Sequence, residues 1–148
     1  MSPRLSACVR ERLNLFTMKS MKGVKREFSE LSNRVMGCAI EVHRVLGAGL
    51  LESTYRQCLA HELKSNGIGF SLEHPLPVEY KGLHLDCGYR IDVLVENEIF
   101  LELKSVEEIK GIHQTQLLTY LKLSGVKQGF LINFNVERLV DGLRNFVL

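Results

Sequence analysis

The stretch RIDVLVENEIFLELKSV, residues 90–106, decides the fold. Apolar residues occupy its odd-numbered positions in two runs, and the polar triplet Glu96-Asn97-Glu98 separates them. Alternation with a period of two is typical of β-strands that turn one face towards a core, so the stretch predicts a β-hairpin. Inside these apolar strands lie three charged residues at even positions: Asp92, Glu102 and Lys104.

The register of this hairpin follows from its turn. If the turn is centred on Asn97, residues that face each other have numbers that add up to 194, and Asp92 lies opposite Glu102. Their Cβ atoms are then roughly 5 Å apart, and Lys104 lies on the same face, roughly 7 Å further along. Like charges in opposed positions destabilise a sheet unless a cation or a shared proton compensates. The pattern indicates a cation site on the face opposite the core, with ordinary solvated charges as the alternative.

The flanking sequence predicts a mixed α/β (α+β) domain with the order α-α-β-β-β-α-β, in which helices flank a mixed central sheet. Helical spacing of apolar residues and the glycines at 47 and 49 predict a helical hairpin, and a two-residue turn at Lys81-Gly82 joins two alternating runs. The predicted elements are helices 27–46 and 50–65, strands 76–80, 83–95 and 99–103, a helix 109–124, a buried parallel strand 129–134 and a short last strand 143–147.

Composition excludes several classes of protein. No apolar run reaches the roughly 18 to 20 residues of a membrane span, and the four cysteines show no C-x-x-C pair or zinc-ligand spacing. We expect reduced thiols in a cytoplasmic protein that does not enter a membrane. The net charge of +2 does not by itself indicate a nucleic-acid binder.

The basic residues are concentrated in residues 1–26, which carry seven lysines and arginines against the single acid Glu11. We interpret this segment as a disordered tail or a mis-assigned start, with Met18 or Met21 as the true first residue, and residues 27–148 as the folded domain. A basic arm that contacts phosphates is the alternative.

Four motifs carry a resemblance to a known family. The segments GAGLLESTYRQCLAHEL, GYRIDVLVENEIFLELKSV, HQTQLLTYLKLSG and GFLINFN together resemble the bacterial GxxExxY protein family, a branch of the PD-(D/E)XK nuclease superfamily. The likeness extends over residues 27–148 and includes Gly49-x-x-Glu52-x-x-Tyr55. It implies the restriction-endonuclease-like PD-(D/E)XK core, although Ile91 stands where many members have a proline.

The resemblance also implies roles. Asp92 corresponds to the motif aspartate, and Glu102-Leu103-Lys104 corresponds to the (D/E)-x-K element. Glu52, at the edge of the buried stripe of its helix, resembles an additional acid, although the helix dipole alone would favour a glutamate there. Gln116-x-x-x-Tyr120 is similar to the glutamine-tyrosine motif of RecB-like nucleases.

The hypothesis is a Mg²⁺- or Mn²⁺-dependent phosphodiesterase. Oxygen ligands suit these hard ions, so Asp92, Glu102 and the carbonyl of Leu103, with Glu52 directly or through water, are the expected metal ligands. Lys104 would orient or deprotonate water or offset phosphoryl charge, while Gln116 and Tyr120 position the substrate or Lys104. The expected partner is nucleic acid, DNA ahead of RNA, with a homodimer or a protein partner assisting.

Two further expectations concern other residues. Arg90 is either a phosphate contact, a partner for Asp92, or half of a structural ion pair with Asp86. The competing function is a PD-(D/E)XK-fold module that binds nucleic acid or protein without cutting it. Such a module would be indicated by a packed even face with Lys104 buried in a salt bridge.

Overall fold

A computed structural model describes residues 29–148, so the expectations for residues 1–26 lie outside the described part of the chain. The elements in chain order are α1 Glu30–Leu46, α2 Glu52–Ser65, β1 Phe70–Pro75, β2 Val78–Tyr80, β3 Leu83–Leu85, β4 Arg90–Val95, β5 Ile99–Lys104, α3 Gly111–Ser124, β6 Gln128–Asn133, a 3₁₀ turn Leu139–Gly142 and β7 Leu143–Val147.

The two N-terminal helices form the predicted hairpin. α1 begins after Ser29, whose hydroxyl accepts a hydrogen bond from the amide of Ser32 at 3.1 Å, as is usual for a helix N-cap. It ends at Gly47, where φ is 73°. The left-handed backbone of this glycine, and of Gly49 at 92°, turns the chain into α2.

Five strands form the central sheet in the order β1-β4-β5-β6-β7. β5 and β6 are parallel and joined by the crossover helix α3, whereas the remaining neighbours are antiparallel. The sheet is therefore mixed and flanked by helices, which confirms the predicted fold class.

The β4–β5 hairpin has the predicted register from Val93 to Leu101, but the predicted pair of Asp92 and Glu102 is not part of the ladder. Val93 pairs with Leu101, Leu94 with Phe100 and Val95 with Ile99, so each pair adds up to 194. Glu96 and Asn97 form the turn with φ values of 50° and 56°. Two consecutive left-handed residues match the twist of antiparallel strands, which fixes the register.

The predicted single strand 83–95 is wrong. The Lys81-Gly82 turn is present, with φ values of 47° and 83°, but it joins only the short strands β2 and β3, which form a separate two-stranded ribbon. All residues from 81 to 90 are exposed, and Gly88 breaks the strand with φ of 77°. The odd-numbered apolar pattern thus continues in sequence across two elements that belong to different sheets.

The outer neighbour of β4 is β1, which the sequence did not predict. Strand 76–80 was expected in that role, but its residues Val78–Tyr80 belong to the ribbon. β1 pairs with β4 on both sides of Glu73, whose φ of 48° interrupts the ladder opposite Asp92. Because Glu73 interrupts the regular backbone and Pro75 ends the strand, a search for strict alternation does not detect β1.

Both faces of the sheet are covered. Odd-numbered residues such as Val93 and Leu101 pack under α1 and α2 in the larger core. On the even face, Leu94 and Phe100 pack with Leu117 of α3 in a second core. The expectation that this face is opposite the core and open to water is therefore wrong, because a second core covers it and Glu102 itself is buried.

Two smaller expectations concern membranes and thiols. Within residues 29–148, no helix is long and apolar enough to cross a membrane. The three described cysteines are free: Cys38 is buried, Cys58 half-buried and Cys87 exposed. Two of the three described cysteines are thus at least partly buried, whereas Cys87, in the segment that follows β3, is on the surface.

Candidate active site

Asp92 lies where regular pairing between β4 and β5 stops. The register ends at Val93 and Leu101, and beyond it the amide of Leu103 donates a hydrogen bond of 2.9 Å to Oδ2 of Asp92. The side chain thus takes the position of a main-chain acceptor. This hydrogen bond fixes one oxygen of the Asp92 carboxylate against the strand that carries Glu102.

Glu102 is a buried acid with an incomplete set of partners. The residue is 9% exposed, and Nζ of Lys104 lies 3.7 Å from its Oε1. That distance exceeds the roughly 2.7 to 3.2 Å of an N–H···O hydrogen bond. Within residues 29–148, its buried Oε2 receives no hydrogen bond from a donor group, and the carboxyl of Asp92 is a hydrogen-bonding neighbour of Glu102 only when the two acids share a proton. A buried carboxylate oxygen without a donor is unfavourable unless a proton or a cation is supplied.

The electrostatics of the two acids agree with this geometry. Burial, followed by the charge of Asp92, raises the pKa of Glu102 to about 8, while Lys104 acts in the opposite direction. Burial also raises the pKa of Asp92, against the lowering effects of the Leu103 amide and of Arg56. At neutral pH the pair therefore retains a proton on Glu102 in the absence of a cation.

The carbonyl of Leu103 points towards β4, on the side where Asp92 lies. Successive carbonyls of a strand point in opposite directions, and the carbonyl of Lys104 accepts from the amide of Phe134 on the β6 side at 2.9 Å. That of Leu103 consequently points to the β4 side, where Asp92 lies. The two carboxylates and this carbonyl all lie at the ends of β4 and β5, and oxygen donors of these kinds suit a hard divalent cation.

Glu52 reaches the site from the first turn of α2. Its Oε1 accepts a hydrogen bond from the amide of Ser105 at 3.3 Å, directly after β5, and its charge contributes to the raised pKa of Glu102. An open cavity of about 360 Å³ is lined by Glu52, Ser105 and the chain from Leu50 to Ser53. The site therefore has access to solvent beside Glu52.

The third residue of the Gly49-x-x-Glu52-x-x-Tyr55 motif supports the loop that carries Glu52. The hydroxyl of the fully buried Tyr55 donates to the carbonyl of Gly47 at 2.6 Å and accepts from the amide of Leu50 at 3.1 Å. Its ring stacks on Phe134 with centroids 4.4 Å apart. Tyr55 therefore fixes the turn between the helices, a role that sequence analysis did not assign.

Gln116 and Tyr120 lie together on α3. The amide of Gln116 donates to the hydroxyl of Tyr120 at 3.0 Å, and the Tyr120 ring packs between Phe100 and Tyr89. Within residues 29–148, neither side chain forms a hydrogen bond with the acids or Lys104. The structure thus pairs these two residues but does not join them directly to the acidic pair.

Arg90 pairs with Asp86 at 3.6 Å, and both side chains are largely exposed. The arginine that lies beside Asp92 is instead Arg56, at 3.7 Å. Sequence analysis missed Arg56, although its position one helical turn after Glu52 was a usable signal. Glu73, which lies 3.4 Å from Arg56, could not be found, because β1 was not predicted.

Comparison with known proteins identifies the family. A family model described as the PD-(D/E)XK nuclease superfamily matches residues 29–146. The chain belongs to the PD-(D/E)XK nuclease superfamily. A search of the curated proteins finds no match. A solved structure titled "Crystal structure of SSO0001" has a TM-score of 0.43 and 20% identity, covering 97% of this chain and 79% of that chain, a similarity too low to support a conclusion.

For a PD-(D/E)XK domain the acidic pair is the natural place to test for a divalent metal. Within the described residues 29–148, no group of three histidine, cysteine or acidic side chains forms a ready metal cluster. The fit instead rests on Asp92, the buried Oε2 of Glu102 and one main-chain carbonyl. Mg²⁺ commonly keeps several water ligands and uses only one or two carboxylates, so this smaller donor set is compatible with it.

Proposed function

We propose that this PD-(D/E)XK domain belongs to the GxxExxY branch and is a metal-dependent nuclease that hydrolyses phosphodiester bonds, with DNA expected ahead of RNA. The observation that carries the proposal is the buried carboxyl of Glu102 beside Asp92, whose Oε2 receives no hydrogen bond from a donor group within residues 29–148. The domain assigned to this activity is residues 27–148, with residues 1–26 as a separate basic segment.

In this proposal Asp92, Glu102 and the Leu103 carbonyl hold Mg²⁺ or Mn²⁺, and Glu52 acts through the water around them. The bound ion supplies polarisation of a phosphoryl oxygen and a more acidic water. The chain contributes fixed oxygen donors: the Leu103 amide holds Asp92, and the Ser105 amide holds Glu52. Fixed donors reduce the reorganisation that charge development at the phosphate requires.

Lys104 is assigned to the attacking water or to the charge that develops on phosphorus. Its amine lies 3.7 Å from Glu102, so its position is set by the acid while its three donors stay available to other partners. Gln116 and Tyr120 are proposed to position the substrate beside the second core. Arg90 is proposed as a phosphate contact, since its exposed pair with Asp86 is weak and exchangeable.

The second candidate is a module that binds nucleic acid or protein without cutting it. The covered even face and the Lys104–Glu102 pair favour this function, because they are what a stabilising ion pair would produce. A stabilising pair, however, normally satisfies both oxygens of a buried carboxylate with hydrogen bonds. The separation of 3.7 Å between Lys104 and Glu102, and the raised pKa of Glu102 in spite of that lysine, differ from such a pair and therefore favour the nuclease.

The deciding experiment combines metal binding with cleavage. Thermal melting is measured with and without Mg²⁺ or Mn²⁺. The metal should raise the Tm of the wild type but not that of Glu102→Gln. Glu98→Gln, at an exposed position, is the matched control and should keep the shift. The same proteins are then incubated with single-stranded, duplex and branched DNA and with RNA. Metal-dependent cleavage that Glu102→Gln abolishes supports the nuclease, and a Tm increase with no cleavage of any substrate supports the binding module.

A further inference from the structure

Arg56 is a nearly buried cation between two carboxylates. Its side chain is 18% exposed, one guanidinium nitrogen lies 3.7 Å from Oδ1 of Asp92, and another lies 3.4 Å from Oε1 of Glu73. The hydrogen bond from the Leu103 amide occupies the other oxygen of Asp92. Asp92 is consequently flanked by a main-chain donor on one oxygen and by a cation on the other.

The position of Arg56 follows from the geometry of α2. Four residues of helix rise by about 6 Å, which is close to the roughly 4.8 Å between neighbouring strands. Glu52 contacts Ser105, the residue after β5, and Arg56, four residues later, contacts Asp92 on β4. Two residues one helical turn apart on α2 therefore contact both ends of the acidic pair, one after β5 and one on β4.

The partner of Arg56 on β1 has an unusual backbone. Glu73 has φ of 48°, a left-handed conformation that is strained for a residue other than glycine, and the β1–β4 ladder is interrupted between Leu72 and His74. Strain of this kind concentrates at functional sites. In this protein it coincides with the residue whose carboxylate lies beside Arg56, opposite the position of Asp92.

A purely stabilising role does not account for Arg56. Within residues 29–148 its buried Nε has no hydrogen-bond partner, and its ion pairs, at 3.4 and 3.7 Å, are longer than the roughly 2.7 to 3.2 Å of a well-formed N–H···O hydrogen bond. A buried cation with incomplete hydrogen bonding is unfavourable for folding by itself. Retaining it beside a candidate metal ligand is better explained by an effect on that ligand.

We propose that Arg56 is a positioning residue for Asp92, and that Glu73 holds Arg56 in place. The consequence for catalysis rests on the proposed nuclease function, but the contact itself does not. In this arrangement Arg56 keeps Oδ1 of Asp92 directed away from β5, so that the hydrogen bond between Leu103 and Oδ2 defines the orientation of the carboxylate.

The contact is tested first without metal. A double-mutant cycle combines Arg56→Met, which keeps the aliphatic stem, with Asp92→Asn, and measures urea unfolding in buffer containing a chelator. We expect Arg56→Met to destabilise the wild type clearly and the Asp92→Asn background much less. Additive effects would overturn the proposal whether or not the protein is a nuclease. Arg44→Met, in the exposed Arg44–Glu41 pair of α1, should show no coupling to Asp92→Asn.

The second test is kinetic and uses the substrate identified for the wild type. Loss of a residue that orients a metal ligand typically costs 10- to 100-fold in activity or metal affinity. We expect kcat of Arg56→Met to fall about tenfold or more, with KM for nucleic acid within about threefold and a changed Mn²⁺ concentration for half-maximal stabilisation. Arg56→Lys should recover part of the loss, whereas Glu73→Gln should reproduce part of it.

The outcomes separate the two proposals. If the wild type cleaves no substrate, the nuclease proposal fails, and the metal-free cycle alone decides the role of Arg56. If the wild type cleaves but Arg56→Met keeps both kcat and the Mn²⁺ midpoint within twofold, the positioning role is overturned. Should Arg56→Met not fold, Arg56→Lys and Glu73→Gln take its place in both tests.

Discussion

The amide of Leu103 donates a hydrogen bond to the carboxylate of Asp92, so a side chain of β4 completes the edge of β5 where main-chain pairing has stopped. Main-chain pairing between the two strands therefore ends without leaving the Leu103 amide unsatisfied. It also holds one acid beside the strand that carries the other. The chemistry of the candidate site therefore depends on the point where pairing ends and on the residues around it.

Removing the amine beside the acidic pair should stop catalysis and spare the fold. Lys104→Ala should lower the rate of phosphodiester cleavage by about 100-fold or more, since a positioned proton-transfer or electrostatic group contributes that much. Its Tm should stay within a few degrees of the wild type, because the side chain lies outside both buried apolar clusters. Lys122→Ala, an exposed lysine of α3, is the control, and metal-dependent cleavage by purified Lys104→Ala would refute the assignment.

Glu102 should make the metal-free protein less stable as pH rises. The pKa of Glu102 is about 8 in the folded protein, whereas its ordinary value, expected in the unfolded chain, is 4.5. Between these two pH values the folded state therefore binds more protons than the unfolded state. The contribution of Glu102 to the free energy of unfolding is then fully present below about pH 4.5. It decreases as the pH rises towards 8, by at most roughly 1.4 kcal/mol per pH unit. Urea unfolding at several pH values should show this slope for the wild type and for Glu98→Gln. The slope should be smaller for Glu102→Gln, and an unchanged slope in that variant would show that the pH dependence arises from another group.

Metal binding should have the opposite dependence on pH. The proton that Glu102 retains at pH 7 must leave before its oxygens bind a cation, so affinity for Mn²⁺ should rise up to about tenfold per pH unit and level off near pH 8. Calorimetry in two buffers with different ionisation enthalpies would measure the proton released. Binding that releases no proton and does not vary between pH 6 and 8 would place the ion elsewhere.

The sequence was sufficient for the part of the site that depends on local pattern. The alternation and the short turn at Asn97 determine the β4–β5 register as far as Val93 and Leu101, and Asp92 and Glu102 are the next residues on the two strands. The crossover helix and the parallel strand could likewise be predicted, because each has its own periodicity. These elements are specified by residues close to one another in the chain.

What could not be predicted depends on contacts between distant segments. The apolar alternation from Leu83 to Val95 does not reveal that Gly88 divides it between two sheets. The partner of Arg56 arrives from β1, whose irregular residue Glu73 conceals the strand. The covering of the even face by α3 is a tertiary arrangement, although Leu94 and Phe100 already indicated that this face is not fully solvated.

Gly142 should be intolerant of any side chain. A Cβ built there would overlap the carbonyl oxygen of Asn133, which is backbone and cannot move aside. Gly142→Ala should therefore destabilise the protein by about 3 kcal/mol or more, at the upper end of overpacking effects, in a urea unfolding experiment. Gly111→Ala is the matched control, because nothing lies within 4 Å of the corresponding Cβ. Equal stability of the two variants would show that the 3₁₀ turn can shift.

The hydroxyl of Tyr55 should matter for both stability and activity. Tyr55→Phe keeps the ring stacked on Phe134 but leaves the carbonyl of Gly47 and the amide of Leu50 without their shared partner. Loss of such partners costs about 1 to 3 kcal/mol. It should also loosen the turn that carries Glu52, so kcat should fall several-fold more than the small loss of folded protein explains.

The control is Tyr80→Phe, which removes a hydroxyl from an exposed ring of the β2–β3 ribbon. We expect unchanged unfolding and cleavage for this variant. If Tyr55→Phe lowers stability but leaves kcat of the folded protein unchanged, Glu52 does not depend on the turn, and its hydrogen bond from the Ser105 amide is sufficient to position it.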